Sequence, residues 1–340
     1  MRPIRIGSEV QTSRRGIYVQ LMDTLGHSGW GEIAPLDSYG PDTLREIKDA
    51  ISSFSSLESN GNAKLLPPSF RFGLDCAQRE LNAKQRGISF RDTFGPLLRP
   101  HILSATLLQP TGSVSNVPSD LRFVKAKVGG NPIEQDVDRV SRLLEHIPSN
   151  GALRLDANGL WSKDEAYDFA GRLMDKVGAG IQQIEFIEEP WKGCFDTAVS
   201  FPIPLAIDES FSFNASAWKH AAVVMIKPSL LGSIDEFNHI ASAILAEGKR
   251  LVLSSAFETH LGMSALIALA TTLSPLPIQK QAEGFGTLGS LDFSNAMAPK
   301  QLSSLDWMKS SEIDVSLLSA YPGDLIHSEA ISLIDSRSVK

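Results

Sequence analysis

Cysteine is almost missing from this chain. Its 340 residues hold Cys76 and Cys194 and no others, too few and too far apart for a disulfide framework or a thiolate metal site. A reducing, cytoplasmic setting is the simplest expectation. Positive charge is also in short supply: 32 Lys and Arg against 39 Asp and Glu give a net charge of −7. Nucleic acid is therefore not an expected partner, since it calls for a basic patch. Long apolar runs are absent as well. The longest, residues 261–273, is interrupted by Ser264, Thr271 and Thr272, which suits a buried helix and is too short for a bilayer span. The opening string MRPIRIGSEV lacks the apolar core of a secretory signal, so a membrane is not an expected partner either.

What is present is an ordinary globular composition, 42% hydrophobic and 21% charged. The length suits a barrel of roughly 200–250 residues with a smaller companion domain. Residues 1–99 read as mixed α+β. Residues 16–25 (GIYVQLMDTL) are strand-like, 29–36 (GWGEIAPL) lead into a loop ending at Pro41, and 43–54 and 72–84 carry helical spacing. Residues 59–69, with Pro67-Pro68, read as a linker between those helices.

From about residue 100 the rhythm changes. Short apolar runs at 102–108, 123–128, 152–155, 184–187, 205–207, 223–226 and 251–253 alternate with helical patterns at 134–146, 163–176, 234–247 and 263–273. Alternation of this kind predicts a parallel sheet. Seven strands, with an eighth near 278–282, fit a closed α/β barrel better than an open doubly wound sheet, and no Rossmann or Walker glycine loop follows any of the seven. The expected division is a capping domain over 1–99, a TIM-like (β/α)7β barrel over 100–306, and a return of about 307–340 to the cap.

Polar groups recur where these strands end. Lys125-Ala126-Lys127, Asp156-Ala157-Asn158, Glu188-Glu189-Pro190, Asp208-Glu209-Ser210, Lys227-Pro228-Ser229 and Ser254-Ser255 follow six strands in succession. In a barrel those ends converge on one mouth, where catalytic residues gather. Asp156, Glu188 and Asp208 would crowd three negative charges together, which calls for a cation, and hard oxygen ligands favour Mg2+. Taken singly, Asp156 could start the turn DANG and Asp208 could cap a helix. Lys125 and Lys127 lie two apart on one strand and so share a face. That face is the barrel interior if the flanking valines face the helices. A nearby ammonium or divalent cation lowers a lysine's pKa and makes it a usable base. Lys227 would reach in from the opposite side of the mouth. Together these groups suit removal of a proton beside a carboxylate, with metal and ammonium stabilising the enediolate.

The strings KAK (125–127), RLDANG (154–159), IEEP (187–190), IDES (207–210), IKPS (226–229) and LSSAFET (253–259) resemble the muconate-lactonizing subgroup of the enolase superfamily. GWGEIAPL (29–36) resembles the loop of that family's amino-terminal capping domain. Superfamily members pair a lysine or histidine base with one or two Mg2+ ions. Within the subgroup the chain is most similar to the o-succinylbenzoate synthase family, dehydratases of menaquinone and phylloquinone biosynthesis. The resemblance implies that Asp156, Glu188 and Asp208 bind Mg2+, with Mn2+ a possible substitute. It implies Lys127 as the base and then the acid of a syn elimination, Lys125 as a stabiliser of the enediolate, and Lys227 as a cation across the ring. Asn158, Ser254, Ser255 and the backbone near Gly284 would hold a small carboxylate substrate. Arg154 and Glu209 would support the ligands from behind, or Arg154 would form a structural ion pair beneath the mouth.

The same lysines and ligands would serve an N-acylamino-acid racemase, a dipeptide epimerase or a muconate cycloisomerase. Dipeptide epimerases usually carry an Asp-x-Asp near the eighth strand, and residues 281–290 (QAEGFGTLGS) have none. A non-catalytic binding protein would be expected to have lost a ligand or a lysine. Subunit number is not legible.

Overall fold

The computed structural model describes residues 4–6, 9–11, 15–37, 39–53, 65–108, 122–212, 216–274, 282–285 and 312–314. The first part of the chain forms two antiparallel pairs, β1 (Ile4–Ile6) with β2 (Glu9–Gln11) and β3 (Ile17–Met22) with β4 (Ser28–Ile33). Helices α1 (Leu44–Ser53) and α2 (Pro68–Arg86) follow. Of residues 29–36, read as leading into a loop, those as far as Ile33 are strand. The reason lies in the glycines: a Cβ on Gly29 or Gly31 would collide with the α2 backbone at Ala77 or Gly73, so bare glycine lets β4 lie flush on α2. The linker read over 59–69 also ends sooner than expected, with Pro68 opening α2. Proline is well suited to a first helical turn, where its missing N–H costs nothing, and the Asp42 carboxylate takes the Ser69 amide at 2.7 Å. Residues 59–64 of that reading lie outside the described residues.

The second part is a seven-stranded parallel sheet in strict sequence order. Its strands are β6 (Thr106–Leu108), β7 (Phe123–Lys127), β8 (Ala152–Asp156), β9 (Ile184–Glu188), β10 (Leu205–Ile207), β11 (Val223–Ile226) and β12 (Arg250–Leu253). Helices α3 (Ile133–His146), α4 (Lys163–Val177), α5 (Ile234–Ala246) and α6 (His260–Ala270) return the chain after β7, β8, β11 and β12. Both α4 and α5 start with a complete capping box, Ser162 with Glu165 and Ser233 with Glu236.

The sheet closes on itself. Glu283 bridges Ser104 and Gly284 bridges Ser254, both in parallel sense. The Glu283 amide donates to Leu103 O at 2.8 Å and the Gly284 amide to Leu253 O. One short segment thus pairs with both edges, and the architecture is an α/β barrel with a separate capping unit. Of the eighth strand expected near 278–282, residues 278–281 lie outside the described residues, and the described pairing is at Glu283 and Gly284. The expected first strand, 102–108, is two strands. β5 (His101–Leu103) pairs antiparallel with β13 (Glu312–Asp314), and β6 starts the barrel. The break falls at Ser104-Ala105, where the chain takes up its hydrogen bonds with Glu283.

Alternate residues of each strand face opposite ways. Val124, Ala126, Leu153, Leu155, Val224, Ile226 and Leu253 pack with Val140, Phe169, Leu173, Phe237 and Ile244 of the surrounding helices. Full burial of a side chain such as Phe169 or Leu173 contributes about 1.5–3 kcal/mol. Phe186, Ala206, Val223, Met225 and Val252 form a separate cluster inside the ring. Among the described residues no helix is long and apolar enough to cross a membrane.

Candidate active site

The inward positions continue past the apolar layer. Phe186 is followed two residues later by Glu188, Ala206 by Asp208, Met225 by Lys227 and Val252 by Ser254. The same step of two carries Phe123 to Lys125 and Lys127, and Ala152 to Arg154 and Asp156. Pairing register aligns Lys127 with Asp156 and Asp156 with Glu188. The strand period therefore delivers the whole set of polar side chains to one rim.

Lys125 bridges two carboxylates. Its Nζ bonds Glu188 Oε2 and stands 3.0 Å from Asp156 Oδ2. Lys127 Nζ donates to Asn158 Oδ1 at 2.6 Å and lies 4.0 Å from Asp156 Oδ2. Across the mouth, Lys227 Nζ bonds Asp208 Oδ1 and donates to the Tyr39 hydroxyl at 2.7 Å. Tyr39 in turn donates to Asp208 Oδ1 at 3.1 Å, and its ring centroid lies 4.6 Å from the Lys227 ammonium. Asn158 passes its amide to Glu209 Oε1 at 2.8 Å.

Electrostatics follow from this crowding. Burial first, and then Asp156 and Asp208, push the Glu188 carboxyl up to about 7, against the opposing pull of Lys125. Burial works against the charge on Lys125, but Asp156, Glu188 and Asp208 outweigh it and hold the ammonium above its ordinary value. Asp208 is held low despite burial, because Lys227 and Lys125 stand beside it.

Glu188 is wholly buried, and its Oε1 has no hydrogen-bond partner. An orphaned buried carboxylate oxygen is costly, and a divalent cation would satisfy it. The donor set of Asp156, Glu188 and Asp208, all hard oxygens, fits Mg2+. As they stand, no three His, Cys, Asp or Glu side chains among the described residues are grouped as a metal cage, and lysine nitrogens share the carboxylates.

The remaining expected residues fall in different places. Ser255 donates its amide to Gly284 O at 3.2 Å, and the Gly284 N–H is taken by Leu253, so Gly284 spends its amide on closing the barrel. Arg154 lies deeper. It pairs with Glu185, reaches Ala282 O, and stacks 4.9 Å over Phe186, making no bond to the three carboxylates. A register shift after Leu153 gives β9 the extra residue, Glu185, which also takes Arg250.

Two participants escaped the sequence reading. Tyr39 comes from the loop ending at Pro41, in which the sequence singles out no side chain. Glu189, in the left-handed region at φ 41°, accepts the Asp208 and Ser210 amides at 2.9 and 3.0 Å and so fixes the turn carrying Asp208. The doubled acid of IEEP was its only signal.

Comparison with known proteins bears on this rim. The family profile described as "Enolase C-terminal domain-like" matches residues 116–302, and "MenC, N-terminal domain" matches residues 3–81. An o-succinylbenzoate synthase of Klebsiella pneumoniae is 33% identical over 277 residues, covering 78% of this chain and 82% of that protein. One from Salmonella paratyphi B is 32% identical over 315 residues, covering 89% and 91%. The crystal structure of o-succinylbenzoate synthase from Thermosynechococcus elongatus BP-1, with magnesium in its active site, superposes with a TM-score of 0.67 at 26% identity, covering 84% of this chain and 88% of that one.

Proposed function

This chain belongs to the o-succinylbenzoate synthase family of enolase-like barrels, and from that premise we propose that it dehydrates a succinyl-hydroxycyclohexadiene carboxylate to o-succinylbenzoate. It is then a lyase of menaquinone or phylloquinone biosynthesis. The observation that carries the reading is the pair of lysine walls: Lys125 and Lys127 on β7 face Lys227 after β11, with three carboxylates between them.

Asp156, Glu188 and Asp208 would hold Mg2+, or Mn2+ in its place. When bound, the ion supplies positive charge to the substrate carboxylate on which negative charge develops. Lys125 pairs with Asp156 and Glu188 in the structure; with those oxygens given to a cation, its ammonium would be turned to the substrate carboxylate. Lys127 takes the α-proton at Nζ, with Asn158 holding that nitrogen in place. The protonated Lys127 then delivers the proton to the departing hydroxyl on the same face, which makes the elimination syn. Lys227 stays anchored by Asp208 and Tyr39 and offers a fixed cation to the opposite face of the ring. Ser254 and Ser255 line the mouth for the succinyl arm.

We retain the division into a cap over 1–99 with about 307–340, and a barrel over 100–306, supported by the break between the two profile matches. Both cysteines are free and buried, in keeping with a reducing compartment such as the cytoplasm.

The test is ultraviolet detection of o-succinylbenzoate with Mg2+, comparing wild type with Lys127→Ala. Loss of a general base costs about 10²–10⁴-fold in rate. Normal turnover by Lys127→Ala would sink the assigned base. Exchange of α-protons on N-acylamino acids without any dehydration would favour a racemase instead.

A further inference from the structure

β4 does more than cover α2. Its glycines face that helix, while Glu32 on the alternate face reaches the start of α6 and is only 4% exposed. The Glu32 carboxylate accepts the Thr259 amide at 3.0 and 2.9 Å, the Thr259 hydroxyl at 2.7 Å and the Gly262 amide at 2.9 Å. These donors belong to the start of α6, where unsatisfied amides and the helix dipole favour an anion. Gly262 makes the approach possible, since a Cβ there would come within 2.8 Å of Glu32 Oε2. Tyr18 on β3 adds a second cap contact, its hydroxyl 3.1 Å from Thr259 Oγ1.

The residue before Thr259 extends the chain of contacts. Glu258 is wholly buried; its Oε2 accepts the Ala256 amide at 2.8 Å and its Oε1 accepts the Ser229 hydroxyl. Ser229 lies two residues after Lys227, in a 3-10 turn whose Leu230 amide bonds back to Lys227 O at 2.9 Å. Between Ser255 and Glu258 the backbone passes through Phe257 at φ 62°, a conformation non-glycine residues hold only when their surroundings impose it. Glu32, Thr259, Glu258, Ser229 and Lys227 thus form one continuous path from cap to catalytic wall, and it runs through the loop that follows Ser254 and Ser255.

We propose that Glu32 is a positioning residue for the reaction: by seating the start of α6 it sets the 254–259 turn and, through Glu258 and Ser229, the wall that carries Lys227. The proposal rests on the dehydratase reading for its kinetic consequence, but its structural consequence needs no substrate. A carboxylate serving only to clamp cap to barrel would affect stability and leave the Lys227 wall unchanged.

The test uses the full chain with Mg2+ and four variants: Glu32→Gln, Glu32→Asp, Ser229→Ala, and Glu32→Gln with Ser229→Ala. Misplacing a catalytic group by about 1 Å costs on the order of 10²-fold, so a partial shift in Glu32→Gln is expected to lower kcat about ten-fold with little change in KM. Glu32→Asp, which keeps the charge, should recover part of that loss. The double variant should be no worse than the worse single, because the two groups act in series. Hydrogen exchange without substrate should quicken together at residues 226–231 and 256–262 in either single variant. Ser229→Ala provides this reciprocal readout even if Glu32→Gln fails to fold. A fall in thermal midpoint with kcat unchanged, multiplicative losses in the double variant, or faster exchange confined to 259–262 would each overturn the proposal. Absence of product from wild type would count against the dehydratase reading alone, leaving the exchange result to decide the role of Glu32.

Discussion

Tyr39 reaches from the cap to Lys227 on the far wall of the barrel, with its hydroxyl 2.7 Å from the ammonium and its ring centroid 4.6 Å away. Burial and the neighbouring Asp208 hold the phenol well above its ordinary value, so it stays protonated at physiological pH and can donate to Asp208 while accepting from Lys227. The cap therefore supplies a contact to the catalytic machinery as well as a cover.

Replacing Tyr39 separates the two contacts. Tyr39→Phe keeps the ring and removes the hydroxyl, and a hydrogen bond to a charged group is worth about 1.5–3 kcal/mol. Partial solvent access reduces this, so kcat is expected to fall about three- to ten-fold. Tyr39→Ala removes both contacts and should fall further. Steady-state kinetics of both variants checks the ordering, and equal losses would remove the ring from the account.

Removing the metal should stop turnover without unfolding the protein, because Lys125 and Lys227 already partner the ligand carboxylates. Chelation followed by circular dichroism tests the fold, and re-addition of Mg2+ or Mn2+ tests recovery of activity. Glu188→Gln should weaken Mg2+ binding by about ten-fold or more, measured calorimetrically, since hard cations depend on carboxylate charge.

Arg154 is expected to matter for stability rather than for metal binding. Its guanidinium is paired with Glu185 in the buried interior, and removing one partner of such a pair costs about 3–5 kcal/mol. Arg154→Met should lower the denaturant midpoint sharply while leaving calorimetric Mg2+ affinity near that of wild type. A large change in affinity would instead give Arg154 a role behind the ligands.

The β3–β4 turn provides a pH-dependent local feature. The Gln85 side chain, with further hydrogen bonds from His27 and Leu25, holds the Asp23 carboxyl down at about 2 from an ordinary 3.8. A carboxyl with a lower pKa in the folded state favours folding once it is ionised in both states. Its contribution is complete above the ordinary value and is lost as pH falls from about 4 through 2. An NMR titration of Asp23 should place its midpoint near 2, and Asp23→Asn should remove the acid-dependent shift at the Leu25 and His27 amides.

Much of the barrel was readable because strand geometry repeats every two residues. Apolar runs mark β7 to β12, and the polar residue beyond each run falls at the mouth by the same period. The 102–108 run could not reveal its own break, since β5 and β6 differ in their partners and not in composition. Tyr39 was unreadable because nothing in DSYG tells which way the cap turn faces. Arg154 shares a string with Asp156, yet its partner Glu185 arises from a register shift between strands, which sequence spacing does not encode.

The chain alone determined the order of elements and the kinds of groups at the strand ends, because hydrophobic periodicity and side-chain chemistry are local properties. Tertiary structure alone decided which of those groups meet: Lys125 between Asp156 and Glu188, Lys227 beneath Tyr39, Glu32 at the start of α6. Those meetings join residues up to 230 positions apart. They follow from closing the ring and seating the cap, and neither is a property of any single segment.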